Sequence, residues 1–505
     1  MAIMPRCGGI AAPQGTNAAA RYHSVVRCFY WLFLVVAFVL SSAAWPQNLP
    51  DLGESAQAEL TPQMERQIGD SIMREIRSDP DYIDDPEISE YVQNVGFRLV
   101  SASPDAHQDF EFFVVRDRTI NAFALPGGYV GVHSGLLLTA QTESEFASVL
   151  AHEISHVLQH HAARQMEAQS KVQTASLLAM ALALVAARSN TQVASAAMAT
   201  AQGAPAAVFL NYSRDFEREA DRVGFQILEA SGYDTSGMPT FFERLDKATR
   251  LYDNNAPAYL RTHPLTTERI ADMQARAANA PYRQRPDSGE FQLVRAKLRA
   301  DDGRAEDAVI FFRDALQDKR YVDEAAVHYG YAAALVRAKD FKAAQVQIDI
   351  ARKFAPSYPM YETLAARIKT ESGDVAGAEK LLAAARQAFP ANVAVKYDDA
   401  AVLQKLGRNR EAVDLLNDLV KQRPRWARVY GLLAKAYSGL GNRTQQHRAL
   451  AEFYYLQGGL ASAIEQLRFA QTAGDGDFYT LSMIDARLRE LRAQQIAEAK
   501  ERKKW

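Results

Sequence analysis

Apolar and polar positions divide the 505-residue chain into a front half of mixed elements and a back half that is helical throughout. Residues 61–76 and 86–99 carry apolar side chains at helical spacing, so two helices are predicted there, the first with Thr61 as its N-cap. The short apolar run at 110–115 predicts a strand. Residues 144–167 predict a longer helix that is largely buried, because few of its positions are polar.

A second strand is predicted over residues 121–135, and it is interrupted in the middle. Pro126, Gly127 and Gly128 separate its two apolar halves. Proline and glycine inside a strand indicate an edge strand or a close approach of the backbone. Two interpretations stay open: an edge to which an extended peptide could add by backbone pairing, and an ordinary hairpin turn.

The back half repeats with a period of 34 residues. Pro356, Pro390 and Pro424 follow this spacing. A turn position recurs at Gly303, Lys339, Gly373, Gly407 and Gly441, and the last four of these are spaced by 34 residues. Alanine stands seven residues before each of the five and five residues after the first four. This pattern is the signature of tetratricopeptide repeats, helical hairpins that stack into an α-solenoid with a concave binding face.

Five repeats are predicted from about 290 to 457. A degenerate sixth copy fits Ala451, Gly458 and Ala463, and an amphipathic capping helix is predicted over 478–505. Such arrays are recognition surfaces and carry no chemistry of their own.

The first 44 residues have the pattern of a signal peptide. Arginines precede a continuous apolar run of 12 residues, and small residues suited to cleavage follow at 42–44. An uncleaved N-terminal anchor is the alternative. Cys7 and Cys28, the two cysteines of the chain, both lie in this segment. A cleaved protein would therefore have to hold a metal through histidine and carboxylate.

Charge and hydropathy exclude other classes. The formal net charge of −2 argues against a nucleic-acid binder. Two alanine-rich apolar runs within 172–210 are shorter than the roughly 20 residues that span a bilayer. We expect a helical pair in the core there, with a hairpin over the active site or a peripheral contact with the membrane surface as alternatives.

Residues 152–156 read His-Glu-Ile-Ser-His within the predicted buried helix. His152 and His156 share a helix face and can bind one Zn²⁺. Glu153 stands where its carboxylate can reach a water at the metal rather than the metal itself. A buried pair of histidines needs partners or a metal, because unpaired buried polar groups are costly. His160 and His161, one turn further, are expected to be exposed.

A third ligand is expected about 60 residues downstream. Glu217 and Asp221 share a face at the charged start of a helix. One carboxylate can bind zinc, and the other can accept a hydrogen bond from a ligand histidine and fix its tautomer.

Three strings together carry a family resemblance: His-Glu-Ile-Ser-His, the Ser-Arg-x-x-Glu-x-x-Ala-Asp of residues 213–221, and the Asn-Ala-Phe-Ala-x-Pro-Gly-Gly of residues 121–128. The chain resembles the gluzincin peptidases related to HtpX and the CAAX prenyl protease. The resemblance implies one zinc ion per chain, held by His152, His156 and Glu217, with Glu153 as the base and Asp221 as the carboxylate behind the ligands. It also implies a mainly α protein, in which a zincin-type α+β catalytic domain with a small sheet (45–285) precedes the repeat array (286–477).

The segment around His263 and Pro264 resembles the His-Pro segment of the same group. His263 could approach the zinc as a transient fourth ligand that holds the enzyme inactive. Alternatively, His263 or Arg269 could stabilise the oxyanion of the tetrahedral intermediate. A loop histidine without zinc contact is the remaining interpretation.

The resemblance implies a periplasmic zinc endopeptidase of a Gram-negative bacterium. Its substrates would be misassembled outer-membrane β-barrel proteins, and its repeats would bind either the client or the outer-membrane assembly machinery. A chaperone-like assembly scaffold with an occluded zinc site is the main alternative. A membrane-embedded protease is a third, which the short apolar runs disfavour.

Overall fold

The computed structural model describes residues 61–103, 109–168, 214–251, 257–354 and 357–502. The predicted signal peptide and the apolar runs at 172–210 lie outside these residues and stay predictions. Within the described ranges, no helix is both long and apolar enough to cross a membrane.

The front half is a helical domain around a three-stranded sheet. Its elements in chain order are α1 (Pro62–Ser78), α2 (Pro86–Ser101), β1 (Glu111–Val115), β2 (Ala122–Leu125), β3 (Tyr129–His133), α3 (Ser134–Thr139), α4 (Glu143–Leu158), α5 (His161–Ala168), α6 (Arg214–Ala230), α7 (Gly237–Leu251), α8 (Ala258–Thr262) and α9 (Thr267–Asn279).

Local signals explain where the first helices begin. Thr61 caps α1, as predicted, by accepting a hydrogen bond from the backbone N–H of Met64, and Asp85 caps α2 in the same way. Each helix then starts on a proline, whose missing N–H is not needed in the first turn.

The sheet has the order β1-β3-β2. β1 pairs with β3 in parallel, and β2 pairs with β3 antiparallel. Gly127 and Gly128 form the turn between β2 and β3 at φ of 79° and 83°, a region that favours glycine. The interrupted strand is therefore a hairpin, and its first strand, β2, lies at an edge of the sheet. Pairing of a peptide with this edge stays a prediction.

The predicted helix over 144–167 is wrong in one respect, because it is two helices. α4 ends at Leu158, and α5 begins at His161. Between them His160 adopts a φ of 50°, which breaks the helical path and turns the chain.

The back half is a row of helical hairpins, as predicted. Its helices are α10 (Gly289–Asp301), α11 (Ala305–Gln317), α12 (Glu324–Arg337), α13 (Phe341–Ala351), α14 (Pro359–Glu371), α15 (Val375–Ala388), α16 (Val393–Lys405), α17 (Asn409–Gln422), α18 (Ala427–Gly439), α19 (Arg443–Leu456), α20 (Leu460–Thr472) and α21 (Phe478–Arg502). The predicted fold class, mainly α with a small sheet followed by helical repeats, is confirmed.

The five predicted turn positions all have a left-handed backbone, with φ of 66° at Gly303, 63° at Lys339, 96° at Gly373, 76° at Gly407 and 71° at Gly441. A tight reversal at a helix C-terminus needs this conformation, and Lys339 adopts it without being glycine. The agreement confirms the register of the repeats.

The last three helices follow the degenerate part of the pattern. Gly458, at a φ of 82°, joins α19 directly to α20. Ala451 and Ala463 are fully buried in the small core that these helices share with α21.

The acidic start of α2 packs against the repeat array. Lys297 on α10 lies 2.6 Å from the carboxylate of Asp85, and the indole N–H of Trp426 donates to Asp84 at 2.9 Å. Asn392 donates to Glu90 at 3.2 Å. One hydrophobic core extends from α2 and α4 into the first repeats. The sequence boundary between 285 and 286 stays a prediction.

Candidate active site

Helix α4 carries the histidine pair through the middle of the front domain. Every α4 side chain except that of Val157 is buried. His152 and His156 lie one turn apart, and their Nε2 atoms are 3.0 Å from each other. Glu153, between them, is fully buried, and its carboxylate has no hydrogen-bond partner among the described side chains.

Helix α6 packs directly on α4 and brings Glu217 and Asp221 to the histidines. Oxygens of Glu217 lie 3.5 Å from His152 Nε2 and 3.5 Å from His156 Nε2. The close approach of the two helices depends on Gly224, since a Cβ there would lie 3.1 Å from the backbone of Ala151.

His263 follows the short helix α8 and completes the group. Its Nδ1 lies 2.9 Å from Glu217 Oε1 and 3.3 Å from His152 Nε2. Its Nε2 lies 3.4 Å from Glu153 Oε1. The loop histidine of the sequence is therefore a member of the cluster and is 2% exposed.

The four side chains fit a zinc ion. One ligand atom from each of His152, His156, Glu217 and His263 lies within 4.8 Å of the others. Ligands at 2.0–2.1 Å from a tetrahedral zinc are roughly 3.3 Å apart, and the separations above run from 2.9 to 3.5 Å. Imidazole and carboxylate are ligand types that zinc takes in catalytic sites.

Asp221 and Arg269 contact the side chains of the cluster and hold them in position. Asp221 Oδ1 lies 3.0 Å from His152 Nδ1. Arg269 binds the other side of this carboxylate through Nε at 2.6 Å and Nη2 at 2.8 Å. Its Nη1 lies 2.8 Å from Glu217 Oε2 and donates to the carbonyl of Pro264 at 2.7 Å. Arg269 thus ties two carboxylates of α6 to the loop that holds His263.

Arg269 therefore donates three hydrogen bonds, two to Asp221 and one to Pro264, and forms an ion pair with Glu217. Its geometry matches support of the two carboxylates better than contact with a substrate oxyanion.

His161 is part of the site, although the sequence prediction made it exposed; that prediction is wrong. The side chain is fully buried, because the break before α5 turns it inward. Its Nδ1 lies 2.8 Å from His156 Nδ1, and its Nε2 lies 3.2 Å from Glu219 Oε2. Its ring also stacks on Phe216, with centroids 4.6 Å apart.

The carboxylate fixes the tautomers along this chain. Glu219 accepts, so His161 carries its proton on Nε2 and accepts at Nδ1 from the Nδ1–H of His156. The Nε2 of His156 is then free of a proton and faces the cluster. The sequence carried little signal for this contact, because Glu217 and Glu219 are two residues apart on one helix and do not share a face.

Burial and charge perturb the titration of the cluster. Burial lowers the pKa of His152, but Asp221 and Glu217 outweigh it and raise the value to about 9. Burial and the charge of His152 hold the pKa of His156 well below its ordinary value. Burial raises the pKa of Glu153, while His263 and His152 oppose it. A carboxyl with a raised pKa suits a group that must take up a proton.

Tyr259 on α8 was not predicted from the sequence. Its ring stacks on that of His263, with centroids 4.6 Å apart. It also meets the ring of His152 edge-on at 6.2 Å. Burial and the charges of Glu153 and Glu217 raise the pKa of Tyr259 well above its ordinary value, so the phenol keeps its proton.

Comparison with known proteins agrees with this geometry. Residues 86–277 match the sequence model of Peptidase family M48, and residues 369–436 match that of a Tetratricopeptide repeat. A relative from Vibrio cholerae is 34% identical over 89% of this chain and 93% of its own length. The chain belongs to peptidase family M48.

Two further relatives of this M48 peptidase carry the names of proteases. The Beta-barrel assembly-enhancing protease of Escherichia coli (strain K12) is 32% identical over 89% of this chain and 92% of its own length. The Mitochondrial metalloendopeptidase OMA1 of Schizosaccharomyces pombe is 30% identical over 36% of this chain and 51% of its own. The family resemblance inferred from the three strings is confirmed. The prediction of a zinc-dependent metallopeptidase is confirmed as well.

Proposed function

We propose that this M48 peptidase is a periplasmic zinc endopeptidase of a Gram-negative bacterium, acting in assembly and quality control of outer-membrane β-barrel proteins. The observation that carries the proposal is the cluster of His152, His156, Glu217 and His263 with the buried Glu153 beside it. The names of its long relatives support the barrel-assembly context, and the predicted signal peptide supports export.

In this proposal His152, His156 and Glu217 hold zinc, which when bound supplies Lewis acidity that polarises the scissile carbonyl and acidifies water. Glu153 accepts the proton of the attacking water and delivers it to the leaving amine as the C–N bond breaks. Asp221, held by Arg269, lies 3.0 Å from His152 Nδ1, where its carboxylate would accept the N–H of that atom and so direct Nε2 of the ring to the metal.

The edge strand β2 is the proposed track for the substrate. It packs on α4, and the backbone N–H of Ala124 on β2 lies close enough to lower the pKa of Glu153. An extended peptide that paired with the outer side of β2 would pass the base. We propose that the repeats bind the client or the assembly machinery, a role that tetratricopeptide arrays serve.

The position of His263 supports an inactive resting state of the enzyme. Its Nδ1 stands among the ligand atoms of His152 and Glu217, where it would take the fourth position of a tetrahedral zinc. We propose that His263 must leave this position before substrate can reach the metal. The same observation favours the second candidate, an assembly scaffold whose zinc site stays occluded.

Zinc content and casein hydrolysis of the purified mature chain test these proposals. Wild type should hold one zinc ion and cleave, and Glu153→Gln should hold zinc without cleaving. His263→Ala should raise the rate if the residue is a brake, whereas a lower rate would make it part of the catalytic apparatus.

The other outcomes separate the two candidate functions. Absence of zinc in wild type would contradict the ligand assignment. A Glu153→Gln protein that fully supports barrel assembly in cells would favour the scaffold.

A further inference from the structure

Tyr259 on α8 contacts the segment before β2 through its backbone and the zinc cluster through its ring. The backbone N–H of Tyr259 donates to the carbonyl of Ile120 at 3.1 Å, which fixes α8 to the segment that leads into β2. On the other side its ring stacks on His263 and meets His152 edge-on. The side chain is 2% exposed.

The hydroxyl of Tyr259 is buried and has no hydrogen-bond partner among the described residues. Leaving a buried hydroxyl unpaired destabilises the folded state. Two other buried tyrosines of the front domain avoid this cost: Tyr91 donates to Glu143 at 3.1 Å and Tyr129 donates to Asp70 at 2.5 Å. The hydroxyl of Tyr233 is also unpaired among the described residues, but Tyr233 does not contact the zinc cluster and lies beside Arg98. A phenylalanine at position 259 would keep the ring contacts without the cost, so the hydroxyl calls for a separate explanation.

The surroundings of this hydroxyl favour a negatively charged oxygen of the substrate as its partner. The ring of Tyr259 contacts two residues of the zinc cluster, His263 and His152, and the charges of Glu153 and Glu217 help to raise the pKa of the phenol. It is a donor with an unused proton. Arg269, a candidate donor from the sequence, already donates three hydrogen bonds to Asp221 and Pro264 and forms an ion pair with Glu217.

We propose that the hydroxyl of Tyr259 donates a hydrogen bond to the oxygen of the scissile carbonyl as water adds to the carbonyl carbon. Tyr259 keeps its own proton throughout. The oxygen of water bonds to the carbonyl carbon, Glu153 takes the proton of water, and the leaving nitrogen receives that proton when the C–N bond breaks. A donor positioned in advance at a developing oxyanion stabilises the transition state more than the bound substrate. This inference rests on the proposed peptidase function.

The test is Tyr259→Phe in the full mature chain. We expect kcat on a peptide substrate to fall about 10²–10³-fold, while KM and zinc content stay at the wild-type values. The thermal midpoint should stay equal or rise, because the substitution removes an unpaired buried hydroxyl and leaves the ring. A purely structural role predicts the reverse, a lower midpoint with little change in kcat.

Tyr91→Phe is the matched control. It removes a phenol from the same core, but one that is hydrogen-bonded to Glu143 at the far end of α4. We expect its thermal midpoint to fall and its kcat to stay at the wild-type value. Tyr259→Phe should therefore lower kcat without lowering the thermal midpoint, whereas Tyr91→Phe should lower the thermal midpoint without changing kcat.

Binding of a phosphinic peptide, whose tetrahedral oxyanion mimics the reacting carbonyl, gives a readout without turnover. Calorimetry should show weaker binding to Tyr259→Phe than to wild type, at equal zinc content. If wild type cleaves and binds the phosphinic peptide and Tyr259→Phe matches it in both, the inference alone is overturned. If zinc-loaded wild type neither cleaves nor binds the phosphinic peptide, the proposed function is contradicted, and so is this inference, which rests on it.

Discussion

The contact between α4 and α6 at Gly224 makes the sharpest prediction about the metal centre. A Cβ at this position would lie 3.1 Å from the carbonyl carbon and oxygen of Ala151 and from the backbone nitrogen of His152. Carbon contacts are ordinarily about 3.5–4.0 Å, so Gly224→Ala requires the helices to separate by roughly 0.4 Å. Backbone atoms of a buried helix cannot rotate away as a side chain would.

This displacement reaches the metal site directly. Glu217 lies seven residues before Gly224 on α6, two turns along the same face. Zinc–ligand distances vary by only about 0.2 Å among good sites, so a shift of roughly 0.4 Å moves Glu217 outside the range that His152 and His156 can share with it. We expect zinc affinity to fall about 10-fold or more. Crowding should also lower the free energy of unfolding by about 1–3 kcal/mol.

Competition with a chromophoric zinc chelator measures the affinity, and thermal unfolding measures the stability. The control is Gly431→Ala on α18, where a Cβ would lie 3.2 Å from a ring carbon of Phe453. The crowding there is similar, but the neighbour is a side chain in the repeat array. Gly431→Ala should leave zinc affinity unchanged. Wild-type zinc affinity in Gly224→Ala would refute the argument that helix separation sets the ligand geometry.

Three further predictions concern charge and hydrogen bonding. Arg269→Lys should lower zinc affinity and kcat about 10-fold or more, because one ammonium cannot contact Asp221, Glu217 and Pro264 together; unchanged chelator competition would contradict this. His161→Leu should lower zinc affinity about 10-fold, because it removes the acceptor of the His156 Nδ1–H. His161→Gln keeps an acceptor and should bind zinc more tightly than His161→Leu. Equal zinc affinities of the two variants would refute the assigned tautomers. Burial raises the pKa of Glu90 from 4.5 to about 7, so its ionised form destabilises the fold by at most about 3 kcal/mol, a penalty absent below pH 4.5 and complete above pH 7. Glu90→Gln should therefore raise the thermal midpoint at pH 8 and not at pH 4, and an equal effect at both would contradict the assignment.

Much of the fold could be predicted because its signals are local. The spacing of His152 and His156 on one helix face follows from the helical repeat alone. The repeat pattern predicted the turn positions, including Lys339, since each hairpin must reverse at the same point, and the structure gives each of them a left-handed backbone. The break of the long helix at His160 was missed, because a non-glycine residue at positive φ has no distinctive local signal.

The sequence by itself determined the helix that presents the histidine pair, the presence of nearby carboxylates on a second helix, and the repeat architecture. Only the tertiary structure decided which atoms meet. The pairing of Arg269 with Asp221, 48 residues apart, and of His152 with His263, 111 residues apart, depends on how α6, α8 and α9 pack on α4. Burial of His161 and of the Tyr259 hydroxyl has the same origin. Contacts between distant segments arise from close packing of the whole core, and neither helical nor strand periodicity encodes them.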